Sequence, residues 1–302
     1  MRRFWPLLPL LMIWLFALWQ TPTDKDAPES AAVAKRIISL APSITETVFA
    51  VGAGAQLVAV TDFCQYPRAA QDLPRIGGYL DPSLSQIVSQ QPDLVIMLDR
   101  QQSLNKQLRQ LGINTLLIDN ARLAGIMDSI LRIGAASGHP QKAQQLHDQL
   151  QQQITTVKQQ IADKPRKNTL LAIAHYTNSE QLDLVYIAGQ QDFYNDILRL
   201  AGGRNVYQDK RLKVPAVSME GLLRMNPEVI IDIFPDASAH NADLLKVRQQ
   251  WQQLTPITAV KQQQIHFIEA GYATVPGPRI IQLLIDIAQL LHPEIKLPAN
   301  AS

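Results

Sequence analysis

One segment limits the possible folds of this chain more than any other. Between Pro140 and Lys164 neither a glycine nor an internal proline interrupts a helical pattern. Its apolar residues, Ala143, Leu146, Leu150, Ile154, Val157 and Ile161, step by three or four and draw one stripe down one face. Nine glutamines between positions 141 and 160 populate mainly the other faces. At 1.5 Å per residue such a helix is about 37 Å long, the height of a small domain. A coiled-coil partner would use the same stripe, but the heptads are too few to argue for one. The pattern predicts a single stiff strut, residues 139–165, packed across the backs of two bodies and permitting only small hinge motions.

Both bodies share one grammar. In residues 36–138, strand signals fall at 36–41, 57–60, 93–98 and 114–119, with helical patterns between them. The first strand runs into Pro42 and then Ser43-Ile44-Thr45-Glu46, which reads as a capping box opening a helix that ends near Gly52-Ala53-Gly54. In residues 166–293, strands read at 169–174, 184–188, 229–234 and 264–268. Helices fall near 192–201, 218–225, 242–254 and 278–291. Strands separated by helices imply parallel pairing with helical crossovers. The fold class expected is therefore α/β: two Rossmann-like lobes, each with a mainly parallel sheet, joined by one long backbone helix. Residues 294–302 are left as a tail.

The lobes also repeat at residue level. The run from Ser83 to Ile96 aligns without gaps on the run from Ser218 to Ile231. Each copy reads as a serine-capped helix, then a proline with an acidic residue (Pro92-Asp93, Pro227-Glu228), then a buried strand. The match of serine, proline, acid and apolar positions points to related lobes.

Arg2 and Arg3 precede the apolar run 4–19, which is shorter than the roughly 20 residues needed to span a bilayer. Residues 1–20 read as an export signal, with an uncleaved anchor as the alternative, because no small-x-small triplet follows Trp19. Residues 21–35 read as a tether, and the chain is expected to be exported. The single cysteine, Cys64, cannot form an internal disulfide. Those two arginines account for the whole surplus of 28 basic over 26 acidic residues. A neutral body offers no field for nucleic acid.

Two parallel-sheet lobes facing each other form a cleft at the carboxyl ends of their strands, where ligands bind. Phe63, Tyr79, Tyr186 and Tyr272 fall just after strands or in loops. Each alone is ordinary loop packing; together they could form a stacking surface for a large planar or macrocyclic ligand.

Several further strings lie in register along residues 36–293. They include Ile38-Ser39-Leu40-Ala41-Pro42-Ser43-Ile44-Thr45-Glu46, Asp62-Phe63-Cys64-Gln65-Tyr66-Pro67 and Ile76-Gly77-Gly78-Tyr79. Pro92-Asp93-Leu94-Val95-Ile96, Ala201-Gly202-Gly203-Arg204-Asn205, Val217-Ser218-Met219-Glu220 and Gly277-Pro278-Arg279 complete the set. This combination resembles the class III periplasmic binding proteins, the iron-siderophore, haem and vitamin B12 binders, and most of all the vitamin B12-binding members. The resemblance implies capture of cobalamin or a related iron or cobalt chelate and delivery to an ABC permease with its ATPase, by a monomer without a cofactor of its own. It places ligand contacts on Phe63, Tyr79, Tyr186 and Tyr272. Two positions that are tryptophan in vitamin B12-binding members are Leu98 and Val214 here. Of the four tryptophans, only Trp251 lies outside the export signal, and its helical pattern marks it as scaffold. The family docks to its permease through one glutamate per lobe. Glu220 matches the second-lobe position, and the repeat puts Ser85 at the first.

Other chemistry is less well supported. Histidines 139, 147, 175, 240, 266 and 292 show no ligand spacing on one helix, so no metal site is expected. His175 with Tyr176 at a strand end, or Cys64, could supply an axial ligand, although a lone thiol is usually packing. Arg279 could meet an anionic ligand or form a structural salt bridge. No dinucleotide fingerprint, phosphate loop or nucleophile elbow is present, so an enzyme is not expected. A sensor or adaptor that keeps the fold without transport is the alternative of another class.

Overall fold

The computed structural model describes residues 33–175, 182, 184–234 and 241–297. The expected export signal, the tether up to residue 32, the end of the tail, Tyr176 and His240 lie outside the described residues.

The first sheet is wholly parallel. Strands β1 (Ile37–Ser39), β2 (Leu57–Val60), β3 (Leu94–Leu98) and β4 (Asn114–Ile118) pair in the order β2-β1-β3-β4. Helices α1 (Pro42–Ala50), α2 (Leu84–Ser89), α3 (Gln102–Gln110) and α4 (Leu123–Ala136) alternate with them. Strand β3 is buried at all five positions, as a central strand covered on both faces must be.

The strut is α5 (Pro140–Gln160), 21 residues and so about 31 Å long. It stops short of Lys164, in a turn from Ile161. Its predicted stripe is the buried face: Ala143, Leu150, Ile154, Val157 and Ile161 enter the largest core, with Leu146 packed against it.

The second sheet is mixed. Its strands are β5 (Lys167–His175), β6 (Leu184–Ile187), β7 (Gly203–Asn205), β8 (Ala216–Ser218), β9 (Val229–Ile233) and β10 (Ile265–Ile268). The order is β10-β9-β5-β6-β8, with β7 parallel to the start of β5. β6 runs antiparallel to β5 and β8; the other pairs are parallel. The short β7 and β8 give no sequence signal, since neither carries the apolar run that marks the equally short β1. Helices α6 (Phe193–Leu200), α7 (Met219–Met225), α8 (Asn241–Gln253), α9 (Thr258–Lys261) and α10 (Ile280–Leu291) complete the lobe. Trp251 of α8 is fully buried, its indole N–H donating to buried Asp232 at 2.7 Å.

The repeat holds in detail. Ser83 and Ser218 each cap a helix, accepting from Gln86 N and Gly221 N at 3.4 Å. The residues before Pro92 and Pro227, Gln91 and Asn226, both take a positive φ, 47° and 42°. The following acids do one job. Asp93 accepts from the backbone N of Lys35 (2.7 Å) and Arg36 (3.0 Å) ahead of β1. Glu228 accepts from Asn168 N (2.7 Å) at the start of β5. Each carboxylate thus fixes the register of the neighbouring central strand.

The largest core is shared between the sheets. It joins Ile37, Ile44 and Ile96 of the first lobe to Leu171, Ile231 and Ile285 of the second through α1, α4, α5, α6 and α10. Smaller cores cover the outer faces, one over each sheet.

The capping box expected at Ser43 is not formed. Ala41 is the N-cap of α1 and Pro42 takes the first helical turn, where its fixed φ and missing N–H cost nothing. That shifts Ser43 into the helix, and Glu46 is drawn to another partner.

Candidate ligand-binding site

A cavity of about 610 Å³ opens between the two sheets, within the usual range for small-molecule sites. The ends of all four strands of the first sheet or the segments that follow them reach it: Ala41 to Ser43 after β1, Phe63 after β2, Leu98 at the end of β3 with Asp99 and Arg100 after it, and Asp119 to Ala121 after β4. The second lobe closes the other side with Asp192 and Phe193 at the start of α6, with Lys213, and with Thr274 to Pro276 after β10.

Phe63 is 63% exposed although it lies only three residues beyond the largely buried β2. Its neighbour Cys64 is fully buried and anchors the loop, with Thr45 Oγ1 at 3.1 Å and Thr61 Oγ1 at 3.2 Å from Sγ. The thiol is packing and does not reach the cavity wall. Tyr79 is aimed by a turn in which Gly77 has φ +94°. A side chain there would be strained, so glycine is required. Gln101 holds the turn, donating to Tyr79 O at 3.2 Å and accepting from Leu98 N at 3.0 Å. The guanidinium of Arg100 lies over the Tyr79 ring, 4.7 Å from its centroid.

Tyr186 and Tyr272 are not part of the cavity wall. Tyr186 lies within β6, half-buried between β5 and β8. Tyr272 packs against the shared core, and its hydroxyl donates to Asp286. Burial, and then that carboxylate, push its pKa up. Leu98 is in the wall but 1% exposed; Val214 is 43% exposed beside Lys213.

The polar wall carries no aromatic signal. Asp81, Asp99, Asp119 and Asp192 face the cavity with Arg100 and Lys213. Residues directly after parallel strands were the available signal, and Asp99, Arg100 and Asp119 obey it. Asp192 also caps α6, accepting from Tyr194 N at 3.0 Å. Burial pushes its carboxyl up to about 6, against the pull of Lys213 and Arg122.

Among the described residues two ion pairs join the lobes. Arg279 donates to Glu46 at 2.6 and 2.9 Å, bidentate, with the carboxylate side chain only 3% exposed. The guanidinium also stacks on Tyr66, 3.8 Å from the centroid. Burial raises the Glu46 pKa, partly offset by Arg279. Arg122 forks onto Asp196 of α6, and Asp196 also accepts from Leu123 N at 3.1 Å, so the second lobe caps α4 of the first. Arg279 is therefore a structural ion-pair partner. Among the described residues no cluster of His, Cys, Asp and Glu could hold a metal ion, and no helix is long and apolar enough to cross a membrane.

A family model described as periplasmic binding protein matches residues 37–271. The chain belongs to that family. Its two parallel-rich sheets and single connecting helix are the class III arrangement expected from the sequence motifs. The chain is 28% identical over 283 residues to the vitamin B12-binding protein of Salmonella choleraesuis, covering 93% of this chain and 92% of the relative. It is 26% identical to an uncharacterised ABC transporter substrate-binding lipoprotein of Bacillus subtilis, covering 86% and 81%. A periplasmic haem-binding protein of Pseudomonas aeruginosa superposes with a TM-score of 0.74 at 22% identity, over 88% of this chain and 96% of that one. That last likeness is one of fold.

Proposed function

We propose that this periplasmic binding protein is the substrate-binding component of an ABC importer, capturing a corrinoid such as cobalamin in the cleft and delivering it to a membrane permease with its ATPase. The similarity to a vitamin B12-binding relative and to an ABC transporter substrate-binding lipoprotein supports the class. The observation that carries the ligand is the make-up of the cavity wall. Phe63 and Tyr79 offer ring faces for a macrocycle, and the charged residues around them are four carboxylates against two cations.

A porphyrin with two ionised propionates would enter a wall already carrying excess negative charge. A corrinoid brings a fringe of neutral amides whose N–H groups donate to carboxylates, and such bonds are worth about 1.5–3 kcal/mol each. Haem and iron-siderophore ligands are the alternatives within this fold. Calorimetry with cyanocobalamin, haemin and a ferric hydroxamate siderophore decides between them. Saturable binding of cyanocobalamin, tighter than either alternative, is the expected result. Preference for haemin would overturn the reading of the wall.

Docking follows the repeat. Ser85 in α2 and Glu220 in α7 occupy equivalent exposed positions in the first turns of serine-capped helices. Glu220 is the proposed anchor to a permease cation. Ser85 supplies no charge, and its hydroxyl lies 3.1 Å from that of Ser83. Glu220→Ala should cut stimulation of the permease ATPase in proteoliposomes about fivefold, as loss of about 1 kcal/mol of charge pairing implies. The deficit should shrink as salt rises, with ligand affinity in solution unchanged. Full stimulation by the variant at low salt would remove Glu220 from the interface.

A further inference from the structure

Most arginines of the described body whose contacts shape the cleft are already committed. Arg75 donates to the carbonyls of Thr61 and Cys64, Arg122 is held by Asp196, and Arg279 by Glu46. Arg100 differs. It stands in the cavity wall on the turn after β3, and among the described residues it makes no hydrogen bond or ion pair, its guanidinium lying over the face of the Tyr79 ring. Asp81, Asp99 and Asp119 share that wall, yet none forms an ion pair with it. The other cation of the wall, Lys213, already acts on the carboxylate of Asp192.

A guanidinium lying on an aromatic ring is oriented by it and keeps its N–H edge free. That planar fork matches the two oxygens of a phosphate or carboxylate. Partial burial disfavours the charge of Arg100, and no protein carboxylate compensates it. A cation held this way gains most from an anion that arrives with the ligand.

We propose that Arg100 is a specificity-determining residue that selects ligands carrying a phosphate or carboxylate group placed beside a ring face on Tyr79. For a corrinoid that group is the single phosphodiester of the nucleotide loop, which one unpaired cation can answer while the surrounding carboxylates take the amides. The inference rests on the cleft being the ligand site, and its test separates it from the corrinoid reading.

The probes are two pairs: haemin with its dimethyl ester, which differ in the carboxylates alone, and cyanocobalamin with dicyanocobinamide, which lacks the whole nucleotide loop with its phosphodiester, so that in the corrinoid pair the effect of Arg100 is read from the variants. Affinities of wild type, Arg100→Gln and Arg100→Lys are measured by calorimetry at low and high salt, with thermal melting to confirm that all three fold alike. Wild type should favour the charged member of a pair about tenfold, the worth of one charge-assisted hydrogen bond. Arg100→Gln should lose most of that preference and keep its affinity for the uncharged member, while Arg100→Lys should retain part. The wild-type preference should weaken with salt. Such a pattern in the corrinoid pair supports both readings; in the haemin pair alone it supports Arg100 and refutes the corrinoid. An unchanged preference in Arg100→Gln, no preference in wild type, or no binding of either pair overturns the role of Arg100.

Discussion

Arg279→Met should cost about 3–5 kcal/mol of folding stability, because it strands a buried carboxylate without its partner. Glu46 is nearly inaccessible to water, and its bidentate contact with Arg279 spans 233 residues of chain. Burial already disfavours the charge of Glu46 in the folded protein. Without the guanidinium the carboxylate must either take up a proton or pull water into the interface between the lobes. Urea denaturation of Arg279→Met, Glu46→Met and the double variant measures the effect. The double variant should recover much of the loss, since two apolar side chains can pack where a broken ion pair cannot. Equal stability of Arg279→Met and wild type would show that the pair does not hold the lobes. Because Glu46 belongs to α1 and Arg279 caps α10, the same variants should also loosen the floor on which Ser43 and Gly277 pack.

The second large effect is on ligand affinity. Replacing both Phe63 and Tyr79 by alanine should weaken binding by about 1–3 kcal/mol, or roughly 5- to 150-fold, at about 0.5–1.5 kcal/mol per aromatic contact. Both rings face the cavity, and Phe63 is largely exposed in the unliganded protein, so truncation removes ligand contact with little loss of core packing. Tyr272→Ala makes the useful contrast. Its ring packs on the shared core and its hydroxyl is bonded to Asp286, so the change should register in stability before affinity. Calorimetry showing unchanged affinity in the Phe63/Tyr79 double variant would move the ligand away from these rings.

Much of this architecture was legible because it is written in short periods. The stripe from Ala143 to Ile161 predicted α5 and its buried face, since a 3.6-residue period survives in any amphipathic helix. Strand-to-helix alternation predicted the parallel pairings of the first sheet, and the Ser-Pro-acid repeat predicted two equivalent units. What the repeat could not say is why the acids recur. Only the structure shows Asp93 and Glu228 each clasping the backbone of an adjacent central strand.

The candidate site was legible in part. Loop aromatics and the carboxyl ends of strands marked the cleft, and Phe63 and Tyr79 lie in its wall. Tyr186 and Tyr272 carry the same local signal, yet Tyr186 lies half-buried within β6 between β5 and β8, and the hydroxyl of Tyr272 is bonded to Asp286. Glu46 looked like half of a capping box, a contact three residues long, and instead answers Arg279.

By itself, then, the sequence determined the longer elements and their order, the connecting helix and the membership of a two-lobed α/β class, but not the short β7, β8 and α9. These follow from periodicity and turn chemistry within a few residues of each position. The tertiary structure alone decided that one core serves both lobes, that two ion pairs tie them together, and that Arg100 meets the cavity without a carboxylate of its own. Those contacts join residues distant in the chain, and their energies depend on burial and on the distance between charges. Neither quantity exists until the chain has folded.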